Sequence, residues 1–282
     1  MPRRLIGVLA ILAIAWVVGA EAQRRGVPAA GRGTSQPRGG GAGRSATAGR
    51  IETRTYVLPD TNETMEYAVF VSTKVDATKP SPLVNDLHGL GTPPAAWLSR
   101  ITDAAEKAGY IVAAPTGYSL TGWYGANDGG RPVGTTNVGA LSEKDVMNVL
   151  DLMRKAFNID ERRIYLAGHS MGGAGALFLG IKHKDIWAAV SASAPAIRTN
   201  LHTPAELEQA TDLPFVLIHG DADTAVPVEQ TRAWAAQMKA LNMTYEYHEI
   251  RGGTHASTLP LGAPFTFKFF DRHPKVMTRV ER

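Results

Sequence analysis

The chain has 282 residues, of which 44% are hydrophobic and 20% are charged, as expected for a globular protein with a sizeable core. It contains no cysteine, which excludes disulfide bonds, thiol catalysis and cysteine-ligated metal sites. The sequence pI of 9.3 comes from the first 50 residues, which hold eight Arg and one acidic residue and leave 22 basic against 25 acidic residues in the rest. Because the basic surplus lies outside the folded part, we expect no nucleic-acid partner.

The N-terminal 50 residues predict two segments ahead of the folded domain. A basic start, an apolar run over positions 5–20 and the small residues Ala20 and Ala22 are typical of a secretory signal peptide (residues 1–22), with cleavage after Ala22. A retained membrane anchor is the alternative, although a bilayer span needs about 20 apolar residues. Residues 23–50 are rich in Gly, Ala, Arg, Ser and Pro, which predicts a disordered linker. We therefore expect a secreted or periplasmic protein with no membrane contact after cleavage.

Residues 51–282 predict one domain of the α/β class. Two β-type runs, IETRTYVL and MEYAVFVST, flank the turn-like PDTNET and predict an antiparallel hairpin. Strands and helices then alternate, and we expect helices at 95–109 and at 142–157, the second opened by Ser142 as its N-cap. This alternation predicts a mostly parallel central sheet with helices on both faces.

The stretch YLAGHSMGG places Ser170 between glycines where a predicted strand gives way to a helix. In the pattern G-x-S-x-G, Gly168 and Gly172 permit a sharp turn, and the serine hydroxyl is exposed at the carboxyl end of the sheet. A plain turn is the alternative interpretation, since five residues alone are only moderately specific. No phosphate-loop pattern follows a strand here. Ser170 is therefore a candidate nucleophile.

A serine nucleophile needs a base and an orienting carboxylate, and both follow in the expected chain order. The next strong strand end, VLIHGDADTAVP, offers Asp221 and Asp223. We favour Asp223, because two further loop residues carry it past the strand end, and interpret Asp221 as a turn residue. The glycine-rich loop IRGGTHAS then supplies His255 as the base.

An acyl-transfer site also needs amides that stabilise an oxyanion. The backbone N–H groups of Leu90, in the loop LHGLG, and of Met171, at the start of a helix, are the candidates. We interpret His88, His169 and His219 as local support. The eight histidines form no H-E-x-x-H pair or evident metal set, so we expect neither a metal nor another cofactor.

Five stretches carry a family resemblance: PLVNDLHGLG, NIDERRIYLAGHSMGG, IWAAVSASAPA, LPFVLIHGDADTAVP and GGTHAS. Together they resemble an α/β-hydrolase of the secreted polyhydroxybutyrate-depolymerase and feruloyl-esterase type, and they are also similar to the catalytic domain of the prolyl-oligopeptidase group. The resemblance covers most of residues 55–270 and implies an α/β-hydrolase fold, a Ser170–His255–Asp223 triad and an oxyanion hole at Leu90 and Met171. The absence of cysteine and the sequence S-M-G-G, in place of S-A-G-G, depart from the depolymerase subgroup.

The expected reaction is hydrolysis of carboxylic esters, including feruloyl, acetyl or polyester-like substrates. Fewer than 20 residues separate the predicted strands at 187–195 and 213–219, too few for a large lid. Trp123 and Tyr124 are candidates for an aromatic wall that contacts the substrate, although aromatic residues that simply complete the core are an equal alternative. A serine peptidase and a non-catalytic binding module on the same scaffold are the other functions that the sequence leaves open.

Overall fold

The computed structural model describes residues 47–126 and 137–276. The predicted signal peptide and all but the last four residues of the predicted linker lie outside the described residues. Residues 47–50 already contact the folded domain, since the Gly49 N–H donates to Val71 O at 2.8 Å.

Eight strands among the described residues form one sheet in the order β1-β2-β4-β3-β5-β6-β7-β8. The N-terminal hairpin β1–β2 is antiparallel, as is the β2–β4 pair, and the remaining pairs are parallel. Strands β3, β4, β6 and β7 are buried along their whole length, as expected for parallel strands covered on both faces. The strands are β1 (Ile51–Leu58), β2 (Glu63–Val71), β3 (Ser81–Leu87), β4 (Ile111–Pro115), β5 (Ile159–His169), β6 (Val190–Ser193), β7 (Phe215–Gly220) and β8 (Tyr245–Ile250).

Six α-helices and two short 3-10 helices accompany the sheet within the described residues. The 3-10 segments are Trp123–Gly125 and Pro204–Ala210. The α-helices are α1 (Pro94–Leu98), α2 (Thr102–Ala108), α3 (Val138–Ala156), α4 (Met171–Lys182), α5 (Val228–Ala240) and α6 (His255–Arg272).

The helices lie on both faces of the sheet. Side chains of α3, α4 and α5 pack on one face, and side chains of α1, α2 and α6 pack on the other. This arrangement confirms the predicted α/β-hydrolase fold, with its mostly parallel sheet and N-terminal antiparallel hairpin. No helix among the described residues combines the length and the apolar character needed to cross a membrane.

Two of the predicted helices differ from those in the structure. The helix expected at 95–109 is divided into α1 and α2, because the chain changes direction around Ile101 while apolar side chains on both sides of the break remain buried. Helix α3 begins four residues before Ser142. Its N-cap is Asn137, whose side chain accepts from the Ala140 N–H. Ser142 is instead buried inside the helix, with its hydroxyl 2.5 Å from Gly117 O.

Candidate active site

Ser170 lies in a sharp turn between β5 and α4. Its backbone has φ 58 and ψ −119, a conformation that is costly for any residue other than glycine and that accumulates at functional sites. Both flanking glycines are required by close backbone contact. A Cβ atom on Gly168 would lie 2.2 Å from Gly172 O, and one on Gly172 would lie 1.9 Å from Leu87 O. The packed backbones therefore hold the serine in its strained conformation.

The structure brings Ser170, His255 and Asp223 together in one hydrogen-bonded chain. His255 Nδ1 lies 2.7 Å from Asp223 Oδ2, and His255 Nε2 lies 2.8 Å from Ser170 Oγ. Because an ionised carboxylate only accepts, Nδ1 carries the proton and Nε2 accepts from the serine hydroxyl. The Asp223 side chain is fully buried, and that of His255 is 27% exposed. The arrangement is suited to removing the proton from Ser170 Oγ.

His255 is the first residue of α6, not a member of the loop that precedes it. Thr254 caps the helix: its Oγ1 accepts from the Ser257 N–H at 3.3 Å, and Ser257 Oγ accepts from the Thr254 N–H at 2.9 Å. This reciprocal cap explains why the helix begins one residue after the Gly252–Gly253 pair. The His255 backbone is therefore fixed by a helix end.

The Asp223 carboxylate accepts three hydrogen bonds. Its Oδ1 accepts from the N–H groups of Ala225 and Val226 at 2.8 and 2.9 Å. Its Oδ2 accepts from His255 Nδ1 and lies 3.2 Å from His219 Nε2. Burial acts to raise the pKa of Asp223, but the hydrogen bonds from Val226, His255 and Ala225 outweigh it and keep that pKa below its ordinary value. The carboxylate is thus stabilised in its charged form.

The sequence predicts local support from His219, and the structure places this histidine beside the Asp223 carboxylate. It is fully buried, and its Nε2 lies 3.2 Å from both Asp223 Oδ2 and Val226 O. Since both partners accept, Nε2 must carry the proton, and Nδ1 accepts from the Thr231 hydroxyl at 2.6 Å. The sequence signal was its place at the end of β7, four residues before Asp223.

Asp221 has the turn role that its sequence position indicated. Its Oδ1 accepts from the Gly252 N–H at 2.6 Å, and the Ala222 N–H donates to Gly253 O at 3.1 Å. These bonds join the loop that follows β7 to the loop that precedes His255. The two loops that carry the acid and the base are therefore connected directly.

Two further buried histidines support the site. His169 Nε2 lies 2.9 Å from the backbone O of His255, and the two rings are 4.6 Å apart. Burial lowers the pKa of His169 to about 3, so the ring is neutral and donates from Nε2. The ring nitrogens of His88 each lie 2.9 Å from a carbonyl oxygen, of Gly89 and of Thr116, and burial lowers the pKa of His88 as well.

The two expected oxyanion amides lie on either side of the Ser170 turn. Gly89 packs beside the serine, since a Cβ atom on Gly89 would lie 3.7 Å from Ser170 Cβ, and Leu90 follows it with a side chain that is 56% exposed. Met171 is the first residue of α4. Within residues 47–126 and 137–276, neither the Leu90 nor the Met171 N–H has a hydrogen-bond acceptor. Both amides are therefore available to a ligand.

The fold buries Trp123 and Tyr124 to different extents. Tyr124 is fully buried and packs against Gly117 and Gly175, with its hydroxyl 3.4 Å from His88 O. The prediction that Tyr124 contacts substrate is therefore wrong, because its ring fills the space left by two glycines. Trp123 is only half-buried and stays a candidate for substrate contact. No cluster of three or more His, Asp or Glu suited to a metal ion occurs among the described residues.

Comparison with known proteins agrees with this geometry. The family model for phospholipases and carboxylesterases matches residues 136–259, the part that contains Ser170, Asp223 and His255. The match covers less than half of the chain, which over that part is similar to phospholipases and carboxylesterases of the α/β-hydrolase superfamily. This match and the esterase relatives confirm the predicted enzyme class, a serine carboxylic-ester hydrolase.

Two sequence relatives and one solved structure illustrate the similarity. A bifunctional acetylxylan esterase/xylanase from Neocallimastix patriciarum is 27% identical over 157 residues, covering 55% of this chain and 21% of that protein. Acyl-protein thioesterase 1 of Emericella nidulans is 28% identical over 210 residues, covering 66% of this chain and 87% of that protein. A ferulic acid esterase from Anaeromyces mucronatus has the same fold, with a TM-score of 0.59, 19% identity, and coverage of 79% of this chain and 90% of that one. The chain thus spans about a fifth of the length of the acetylxylan esterase/xylanase.

Proposed function

We propose that this α/β-hydrolase cleaves carboxylic esters through an acyl-enzyme formed on Ser170. His255 Nε2 takes the proton from Ser170 Oγ as the new oxygen–carbon bond forms, and Asp223 fixes the tautomer of His255. The amides of Leu90 and Met171 stabilise the oxyanion. The observation that carries the proposal is the hydrogen-bonded chain from Ser170 through His255 to Asp223.

The second half of the reaction uses the same residues in reverse. The alcohol leaves with the proton held by His255, and the acyl group remains on Ser170. Water then gives a proton to His255 as its oxygen bonds the acyl carbon, and the carboxylic acid leaves as Ser170 regains its proton. One histidine thus serves as base and acid in both steps.

Acetyl or feruloyl esters are the substrates we propose. The similarity to an acetylxylan esterase/xylanase and to a ferulic acid esterase supports this choice. A second support is the short connection between β6 and β7, where the described residues contain only the 3-10 segment Pro204–Ala210 and no large lid. Such a site accepts a bulky or polymer-linked ester. Trp123, which is half-buried and directly precedes Tyr124, is the proposed contact for an aromatic acyl group.

We also propose that the protein is exported and that its signal peptide is removed after Ala22. The support is the basic start, apolar run and small residues of the N-terminal sequence. N-terminal sequencing of protein recovered from the medium or periplasm tests this directly. A mature chain that still begins at Met1 contradicts it.

The catalytic proposal is tested with an active-site probe and a substrate panel. We expect a fluorophosphonate probe to label the wild type and not Ser170→Ala, and ester turnover to fall by several orders of magnitude in that variant. Hydrolysis of p-nitrophenyl acetate and methyl ferulate, without hydrolysis of a peptide anilide, separates an esterase from a peptidase. Absence of labelling in the wild type would support a binding module. Matching thermal melts of the two proteins exclude misfolding as the cause.

A further inference from the structure

A small polar chamber lies between the sheet and α6, behind the Ser170 turn. We use the name polar chamber for the cavity of about 20 Å³ between Asp86 of β3, Ser191 and Ser193 of β6, and Thr266 of α6. Its other walls are apolar and include Ile218 and Leu259. Four polar side chains in an otherwise apolar layer require an explanation.

Two of these four groups pair with each other and two do not. Ser191 Oγ and Thr266 Oγ1 lie 2.8 Å apart. Asp86 and Ser193 are each 4% exposed, and among the described residues Asp86 Oδ1 and Ser193 Oγ have no hydrogen-bond partner. A buried polar group left without a partner is destabilising, because the hydrogen bonds it made to water in the unfolded chain are not replaced. The chamber therefore holds two costly groups that face one cavity.

The size and lining of the chamber suit one water molecule. A cavity needs roughly 10–15 Å³ to hold a water, which also requires two to four polar partners. Burial raises the pKa of Asp86 to about 7, with the Trp97 indole acting against that rise. A carboxyl group that keeps its proton can both donate and accept, as can the Ser193 hydroxyl. One water bound between them would therefore give both groups a hydrogen-bond partner.

The chamber borders three elements that carry the proposed catalytic groups. Asp86 lies four residues before Leu90 in the chain, and Ser193 O accepts the Ser170 N–H at 2.9 Å. Leu259 and Thr266 belong to α6, the helix that His255 begins. A link between Asp86 and Ser193 would therefore restrain the oxyanion loop and the serine turn, and the Ser191–Thr266 hydrogen bond joins α6 to the same strand.

We propose that one water molecule bound in the polar chamber bridges Asp86 to Ser193, and that Asp86 is thereby a positioning residue for the catalytic loops. It contacts no substrate and takes no part in proton transfer at Ser170. The positioning role rests on the proposed esterase function, whereas the bound water does not.

The bound water is tested without reference to activity. A high-resolution crystal structure of the wild type is expected to show one ordered water within hydrogen-bond distance of Asp86 and Ser193. The infrared spectrum at pH 6 is expected to contain a protonated carboxyl band that Asp86→Asn removes. The Asp86→Leu variant is expected to have a dry chamber. The proposal is overturned if the wild-type chamber contains no ordered water. It is also overturned if the wild type and Asp86→Asn have the same protonated carboxyl bands at pH 6.

The positioning role is tested with p-nitrophenyl acetate. Asp86→Leu is expected to lower kcat about tenfold with little change in KM, because the loops lose alignment while ground-state binding persists. Asp86→Asn keeps the shape and the hydrogen-bonding capacity and is expected to restore kcat to within about twofold of the wild type. Equal kcat values in the Leu variant and the wild type overturn the positioning role. An inactive wild type instead contradicts the esterase proposal and leaves the structural test of the water intact.

Discussion

His169 donates from Nε2 to the backbone oxygen of His255 over 2.9 Å. Two adjacent histidine rings therefore have different tasks, one holding the main chain and the other facing the serine hydroxyl. The buried ring stays neutral because burial lowers the pKa of His169 to about 3.

Replacing His169 by Phe removes this support for His255. We expect kcat for p-nitrophenyl acetate to fall about tenfold, with KM nearly unchanged, because His255 loses its alignment with Ser170. The matched control is His273→Phe, since His273 Nδ1 also lies within 2.8 Å of a carbonyl oxygen of α6, that of Phe269, at the opposite end of the helix. An equal loss in both variants would show that His169 acts only through general stability.

Asp223→Asn removes the acceptor that fixes the His255 tautomer. We expect kcat to fall about 10⁴-fold while the fold is retained, because an amide can present a donor where the Nδ1 proton needs an acceptor. Asp221→Asn is the control, because its side-chain oxygen can still accept from Gly252. Steady-state kinetics of both variants, with circular dichroism to verify folding, make the test. Comparable activity in the two variants would contradict the assignment of Asp223 as the carboxylate that orients His255.

Asp86→Asn is expected to change stability in a pH-dependent way. The pKa of Asp86 is raised in the folded state from 3.8 to about 7, so folded protein binds the proton more tightly and stability falls as pH rises between those values. The free energy of unfolding lost through Asp86 ionisation above pH 7 is about 4 kcal/mol. The Asn variant, which has no such proton, should melt higher than the wild type at pH 8 and not at pH 4.

Melting temperatures at the two pH values, with Asp103→Asn on the exposed surface of α2 as control, decide this prediction. If the difference in melting temperature between Asp86→Asn and the wild type is the same at pH 4 and pH 8, Asp86 is ionised in the folded protein at both pH values.

Gly172→Ala is expected to destabilise the protein by about 3 kcal/mol or more, because its Cβ atom would lie 1.9 Å from Leu87 O, a backbone atom. Gly89→Ala is the comparison, since its Cβ atom would meet nothing nearer than 3.7 Å and should cost less than about 1 kcal/mol. Denaturant unfolding of both variants gives the two free energies. Similar losses of unfolding free energy in the two variants would mean that the distance from the added Cβ atom to its neighbours does not determine the cost of these substitutions.

The order of strands and helices was predictable because each element has a local signal. Alternating polarity, turn residues and apolar runs indicate the sheet, and the carboxyl ends of β5 and β7 then locate Ser170 and Asp223. The sequence could not show that α1 and α2 are separate helices. Ile101, at the break between them, is an apolar residue that would also be buried in one continuous helix. The cap that makes His255 a helical residue depends on Thr254 and Ser257, whose reciprocal bonds form only in the folded loop.

Some side-chain environments depend on contacts between distant segments, which the sequence does not show. Tyr124 is buried because Gly117 and Gly175, from a loop and from α4, leave room for its ring. His219 and Asp86 look like ordinary polar residues near strand ends. Their environments arise from Thr231 and Ser193, which only the tertiary fold places beside them.

The bond between Asp221 and Gly252 has a mechanical consequence. It makes the loops after β7 and β8 one body, so Asp223 and His255 shift together, whereas Ser170 stands on the separate β5–α4 turn. His169, directly before Ser170, bonds the His255 backbone oxygen and joins the serine turn to these loops at the histidine. The triad is therefore assembled from two parts of the chain, and the His169–His255 bond helps to set the separation between them.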